Sequence, residues 1–129
     1  MTTIEDRRLN FLNEKLGYFI EDPSRRAYNQ KTESCMYWDK STGNKCLIGM
    51  ELPEEKYDES FESKIINFHF NEKGSIFSLL SKDIQELGLY FLQVCQCLHD
   101  EESYWDEDGL SDSGKSKLAS IKADYCNVN

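Results

Sequence analysis

The stretch 81-SKDIQELGLYFLQVCQCLHDEE-102 decides the fold of this chain. Its apolar side chains recur at the three- and four-residue spacing of one helical face, in a stripe of Ile84, Leu87, Phe91, Cys95 and Leu98. Further apolar residues leave little of the middle polar, namely Leu89, Tyr90, Leu92, Val94 and Cys97. Ser81 is the predicted cap, and Asp83 lies in the first turn, where the helix dipole favours an acid. A helix that is apolar nearly all round is buried, so a central helix is predicted over 83–102.

A second helix is predicted upstream, over residues 4–20. One face of it carries Leu9, Leu12, Leu16, Phe19 and Ile20. Thr2 and Glu5 have the spacing of a capping box at its start. Pro23 ends the helix because it restricts the backbone of Asp22.

A last helix is predicted from Asp112 to Tyr125, with Ser111 as its N-cap and with Leu118, Ile121 and Tyr125 facing inward. The acidic turn before it, 106–109, resembles the start of a calcium-binding EF-hand loop. Such a loop needs Gly at its sixth position and Glu at its twelfth, and this chain has Ser111 and Lys117 there. No calcium site is therefore predicted.

A β-hairpin is predicted over residues 35–50, CMYWDKSTGNKCLIGM, with its turn at 41–44. A turn centred on Thr42 and Gly43 places Cys46 opposite Asp39, whereas a three-residue loop ending at Gly43 places it opposite Trp38. Either register separates Cys35 from Cys46 by roughly 10 to 13 Å along the ladder. Because a disulfide tolerates Cα atoms at most ~7 Å apart, a bridge between these cysteines is not expected.

The region between the hairpin and the central helix gives the weakest pattern. Residues 51–60 are acidic and predict a surface loop, 61–70 fit a short helix running into a strand, and Gly74 breaks the run. Taken together, residues 1–129 are predicted to form a single globular domain. The predicted class is α+β, with about four helices around the central helix and a small antiparallel sheet built on the 35–50 hairpin.

The charge balance bears on partners and location. The chain has 24 carboxylates against 15 Lys and Arg, a formal net charge of −9. Such a surface repels nucleic acid and anionic membranes, so neither direct DNA or RNA binding nor membrane binding is expected. A local basic patch can override the repulsion by the overall negative charge. No apolar stretch approaches the ~20 residues of a membrane span, and the first residues lack a signal-peptide pattern. A cytoplasmic protein is predicted.

The five cysteines are predicted to be free thiols that pack as small apolar groups. A zinc site could draw on Cys35, Cys46, Cys95 and His99, but the first pair lacks the tight spacing of structural zinc ligands. Cys95 with His99 could also serve as a nucleophile and base, but a thiol deep in an apolar stripe has a raised pKa. No metal, other cofactor or catalytic residue is predicted, and an enzyme is the less favoured interpretation.

A ligand site is predicted from the residues after the first helix and those on the hairpin: Arg25, Arg26, Tyr28, Tyr37 and Trp38. Guanidinium groups bind phosphate, and aromatic rings stack on a flat base, so the set suits a nucleotide or another anionic small molecule. The alternative is that the arginines pair with nearby acids and the aromatic rings pack in the core or at its edge.

A second set, His99, Tyr104 and Trp105, follows the central helix. Exposed Tyr and Trp side chains beside carboxylates are typical anchors of protein-protein interfaces. The alternative is that Trp105 fastens the last helix onto the central one.

The segments DPSRRAYN, CMYW with GNKCLIG, and LQVCQCLHDEESYWDEDGLSDSGK resemble a family of small uncharacterised proteins of phages and prophage-bearing bacteria. The resemblance covers about three quarters of the chain and implies a viral or mobile-element origin. It supplies no catalytic residues and implies a location in the cytoplasm of a bacterial host.

The leading functional hypothesis is a non-catalytic protein, plausibly phage-encoded, that binds and inhibits a host protein, of the anti-defence or host-takeover kind. An acidic surface would steer it toward a basic partner. The first alternative is the anion-binding site described above, and the second is a small Cys/His enzyme or zinc module.

Overall fold

Five α-helices provide most of the regular structure of the computed structural model, which describes residues 2–29, 34–59, 62 and 76–128. They are α1 Ile4–Glu21, α2 Ile76–Leu79, α3 Lys82–Gln85, α4 Leu89–Asp100 and α5 Asp112–Tyr125. Six short strands form three antiparallel pairs: β1 Tyr28–Asn29 with β2 Ser34–Cys35, β3 Trp38–Asp39 with β4 Asn44–Lys45, and β5 Trp105–Asp106 with β6 Gly109–Leu110. The predicted α+β class is confirmed.

The predicted central helix is buried on one face only, with Tyr90 72% exposed and Cys97 exposed, and it is divided in two. Gly88 has a φ of +104°, a backbone conformation that side chains with a Cβ rarely adopt. It separates α3, which Ser81 caps as predicted, from α4. The buried residues of α4 are Phe91, Leu92, Cys95, Leu98 and His99. The continuous helix over 83–102 is therefore corrected to α3 and α4, with α4 as the central element.

The first and last helices lie where the sequence places them. Thr3 and Asp6, rather than Thr2 and Glu5, form the capping box of α1, one residue later than predicted. Ser111 caps α5, whose bounds match the prediction. Arg8 joins three elements, because its side chain donates to Leu87 O at 2.8 Å and to Tyr125 O at 3.2 Å and lies over the Phe91 ring.

The 35–50 hairpin is shorter than predicted and has a different register. Trp38 pairs with Lys45, and the Cys46 amide donates to Tyr37 O, so both predicted registers are wrong. Cys35 instead pairs with Tyr28. The turn spans residues 40–43, one residue earlier than predicted, with Gly43 at a φ of +81° and Asn44 already in β4.

Residues after β4 turn inward instead of continuing the strand. Cys46, Leu47 and Ile48 are all buried, whereas an extended strand would point alternate side chains to opposite faces. Gly49 makes this close packing possible, since a Cβ there would lie 1.9 Å from Tyr37 O. The predictions for residues 61, 63–70 and 74 lie outside the described residues.

The core lies between α1, α4 and the 46–52 segment, with α5 packed on α4. Its largest fully buried side chains include Phe19, Phe91, Leu12, Leu16, Leu47, Ile48 and Leu98. None of the helices in the described ranges combines the length and the apolar character that crossing a membrane requires.

Candidate functional site

The C-terminal end of α4 is held by side chains that the sequence assigns to two different sites. Arg26 Nε donates to His99 O at 2.9 Å, and its Nη2 donates to Asp100 O at 3.2 Å. Trp105 Nε1 donates to Leu98 O at 2.9 Å, and the Arg26 guanidinium lies 5.1 Å from the Trp105 ring centroid. The last carbonyls of the helix are thereby satisfied, and a cation lies at the negative end of its dipole.

His99 lies inside this junction. Its side chain is 0% exposed, its Nδ1 lies 2.8 Å from Asp100 Oδ1, and its ring packs edge-on against Phe19 with centroids 4.6 Å apart. Nε2 is buried without a hydrogen-bond partner among the described residues. Burial lowers the pKa of His99 below its usual value, and the Asp100 carboxylate opposes this effect only in part.

Mild acid is expected to destabilise the protein through His99. The unfolded chain binds a proton on this imidazole near its ordinary pKa of about 6.5, while the folded chain resists protonation. The contribution of His99 to stability is therefore constant above that pH and falls as the pH decreases below it. Urea unfolding at several pH values between 7.5 and 5 measures how steeply the free energy of unfolding changes with pH.

The His99→Asn variant is the control, because an amide keeps a donor toward Asp100 without titrating. It is expected to lose most of the slope between pH 7 and 5. Asp22 and Asp39, whose pKa values are lowered by hydrogen bonds from Ser24 and Ser41, titrate below this window. An unchanged slope in His99→Asn would assign the effect to another group.

Residues 100–112 form an acidic segment on the surface beyond α4. They include seven carboxylates and no Lys or Arg. Part of this segment borders a cavity of about 450 Å³, which we term the acidic cleft. Its lining includes four carboxylates above a deeper guanidinium and indole, namely Asp22, Glu102, Asp106 and Glu107 above Arg26 and Trp105.

The acidic cleft carries a net negative charge. Four carboxylates against one guanidinium leave three negative charges, and the guanidinium already donates to helix carbonyls. Ser24 donates its amide and its hydroxyl to Asp22 Oδ1 at 3.1 and 2.6 Å, which lowers the pKa of Asp22. Asp22 therefore stays ionised well below neutral pH.

The acidic segment is fastened at several points. Trp105, 8% exposed, anchors β5 to α4 through Leu98 O. Ser111 N donates to Tyr104 O at 2.8 Å, and Ser111 Oγ donates to Ser103 O at 2.7 Å. Between these anchors the β5–β6 pair exposes Asp106, so the carboxylates are mounted on a packed scaffold.

The predicted ligand residues do not form one site. Arg26 is buried at the end of α4, and Tyr37 is buried with its amide donating to Glu62 at 2.8 Å. Arg25 lies over the Tyr18 ring, and Trp38 is half-buried. Tyr28 belongs to β1, and its side chain lies outside the described residues.

The predicted partner-binding residues lie at one junction but expose little surface. His99 and Trp105 are buried, and Tyr104 is half-buried. The premise of an exposed Tyr-Trp pair is therefore wrong, because the indole packs under Arg26 instead. The surface groups above it are Glu102, Asp106 and Glu107, none of which was predicted as a partner-binding residue.

Three of the four described thiols, Cys46, Cys95 and Cys126, are buried as predicted for packing groups, whereas the prediction is wrong for Cys97. Cys46 and Cys95 are fully buried, and burial raises the pKa of each, as predicted for Cys95. Cys97 is exposed, on a different face of α4 from Cys95. Within the described ranges no three His, Cys, Asp or Glu side chains come close enough together to hold a metal ion.

Comparison of the chain with protein-family models, with curated proteins and with solved structures found no match.

Proposed function

We propose that this chain is a non-catalytic binding protein whose acidic cleft and adjoining acidic segment engage a basic surface of another protein. The observation that carries the proposal is the way in which the acidic segment is held: Trp105 fastens it to Leu98 O at the end of α4, and Ser111 ties its two ends together through Ser103 O. A segment whose backbone is already fastened loses less conformational entropy when a partner binds.

The overall charge supports the same proposal. A formal net charge of −9 steers a basic partner toward the protein and repels acidic ones. The cleft is a place where a basic side chain can bind, because Lys and Arg side chains are long enough to enter a cavity of about 450 Å³ lined by carboxylates. Trp105 in its lining offers apolar surface to the stem of such a side chain.

The nature of the partner follows from the resemblance to small phage and prophage proteins. A protein of that origin acts in a bacterial cytoplasm. By covering a functional surface of a host protein, it would inhibit that protein without catalysing a reaction. A host protein that binds nucleic acid, in defence or replication, carries the basic surface that the acidic cleft requires. The proposed role is therefore occlusion of such a surface.

The test begins with immobilised protein and a bacterial lysate at low salt, followed by titration of the purified partner against variants. The double variant Asp106→Asn/Glu107→Gln removes two charges from the cleft and is expected to weaken binding at least about tenfold, about 1.4 kcal/mol. Wild-type affinity is expected to fall as salt is raised, because exposed charges are screened.

The matched control is Glu55→Gln/Asp124→Asn, which removes the same charge from exposed positions outside the cleft. It is expected to change the affinity less than twofold. Equal losses for the two double variants would show that only the net charge matters. An affinity that does not depend on salt, or the failure to retain any basic protein, would refute the proposal.

A further inference from the structure

A second cavity, of about 430 Å³, lies beside the β3–β4 hairpin and differs in character from the acidic cleft. We term it the Trp38 pocket. Its lining includes Tyr18, Trp38 and Met50, which are aromatic or apolar, together with the polar residues Asn44, Lys45 and Glu54. Tyr18 is 44% exposed although it is a large aromatic residue. The pocket therefore presents flat apolar surface to the solvent.

Three cations gather at these aromatic rings in a strongly acidic chain. Lys45 Nζ lies 4.6 Å and Lys40 Nζ 5.1 Å from the Trp38 ring centroid. The Arg25 guanidinium lies 4.4 Å from the Tyr18 ring centroid. Two carboxylates, Glu54 and Glu21, pair with two of these cations, so the group has a surplus of one positive charge within a chain of net charge −9.

The cations are held at the surface by ion pairs, by contacts with the rings and, for Arg25, by a hydrogen bond that Nη1 donates to Tyr18 O at 2.9 Å. Lys45 pairs with Glu54 at 2.8 Å and Arg25 with Glu21 at 3.8 Å, and both acids are largely exposed. Lys40 has no carboxylate within ion-pair distance among the described residues. Exposed ion pairs and cation-π contacts are readily exchanged for charge-assisted bonds to a phosphate.

The aromatic floor, in contrast, is fixed. Glu62 accepts hydrogen bonds from the Trp38 amide at 3.3 Å and from the Tyr57 hydroxyl, and the Tyr57 ring packs edge-on against Trp38. Asn44 Nδ2 donates to Ser24 O at 3.1 Å, which ties the hairpin to the turn that carries Arg25. An aromatic ring with cations around it suits a ligand that is flat at one end and anionic at the other.

We infer that the Trp38 pocket binds a nucleoside monophosphate, with the base against Trp38 and Tyr18 and the phosphate held by Lys45, Lys40 and Arg25. A mononucleotide fits better than a nucleic acid strand. One phosphate meets three local cations, whereas a strand would carry many phosphates across a surface of net charge −9. This binding function is separate from the one proposed for the acidic cleft.

The two tryptophans provide the test. In a ¹H–¹⁵N spectrum of the labelled protein, AMP, GMP, CMP and UMP are titrated in turn to millimolar concentration. At least one is expected to shift the Trp38 indole resonance, assigned with Trp38→Phe. The Trp105 indole, whose Nε1 donates to Leu98 O inside the core, is the internal control and is expected to remain unmoved. The nucleoside without phosphate, and inorganic phosphate alone, are each expected to bind at least tenfold more weakly.

The charge requirement is tested with Lys45→Gln, expected to weaken binding at least tenfold by calorimetry. Lys115→Gln, which removes an exposed lysine from α5, is expected to change it less than twofold. No shift of the Trp38 resonance with any of the four nucleotides would overturn the inference. So would equal binding of nucleoside and nucleotide, or equal effects of the two lysine variants.

Discussion

Replacing Gly114 with alanine is expected to cost about 3 kcal/mol or more of unfolding free energy, at the upper end of the usual cost of overpacking. A Cβ at this position in α5 would lie 2.1 Å from Tyr104 O and 3.0 Å from Leu110 Cδ2. The nearer atom belongs to the backbone, so no side-chain rotation relieves the clash. The helix must move away from the 102–104 turn, which would disturb the mounting of the acidic segment.

Urea unfolding monitored by circular dichroism measures this cost, and Gly17→Ala is the matched control. Gly17 lies inside α1, and a Cβ there meets nothing within 4 Å. That substitution is expected to stabilise the protein by about 0.5 to 1 kcal/mol, because alanine loses less backbone entropy in a helix. Wild-type stability in Gly114→Ala would contradict the packing of α5 against Tyr104.

Arg26→Met is expected to be nearly as damaging, at about 3 kcal/mol, since hydrogen bonds to charged groups contribute about 1.5 to 3 kcal/mol each. The variant keeps an apolar stem of similar length and removes the donors to His99 O and Asp100 O. Both carbonyls lie at the end of the central helix, where Arg26 is only 9% exposed. Equilibrium unfolding in urea measures the loss.

The neighbouring arginine is the control. Arg25 lies at the surface, stacks on Tyr18 and pairs with Glu21, so Arg25→Met is expected to change the stability by less than about 1 kcal/mol. The difference between two adjacent, chemically identical residues isolates the effect of capping α4. Equal effects of the two substitutions would contradict the role assigned to Arg26.

The helices were predictable because a stripe of buried side chains leaves a periodic pattern. Ser111 and the range of α5 follow from that pattern and from the N-cap signal alone. The break at Gly88 did not follow, because the apolar residues on either side keep the helical spacing across it. The helix is interrupted where Gly88 takes a positive φ. Arg8 lies beside this glycine and donates to Leu87 O, and a contact between residues so far apart in sequence leaves no local pattern.

The register of the β3–β4 hairpin could not be predicted from the sequence pattern for a different reason. Each strand has only two residues, so no run of alternating side chains fixes the pairing. Local hydrogen bonds of the turn fix it instead: Asp39 O accepts from Gly43 N at 2.7 Å, and Asp39 Oδ1 accepts from Ser41 N at 3.0 Å.

The candidate site illustrates the limit of reading residues locally. Arg26 and His99 were assigned to different sites, although they meet across 73 positions of sequence. Their residue types suggested binding, and their burial shows that they support the surface instead. The acidic residues above them were visible in the sequence, but only the fold places Asp22 beside Asp106 and Glu107.

Amide hydrogen exchange over residues 98–112 tests most directly whether the acidic segment is rigidly mounted. The amides of Glu101, Tyr104 and Ser111, which donate to backbone carbonyls, are expected to exchange far more slowly than in an unfolded peptide. Arg26→Met is expected to accelerate their exchange, and Arg25→Met is not. Exchange of these amides at the unfolded rate in the wild-type protein would contradict a fixed acidic surface.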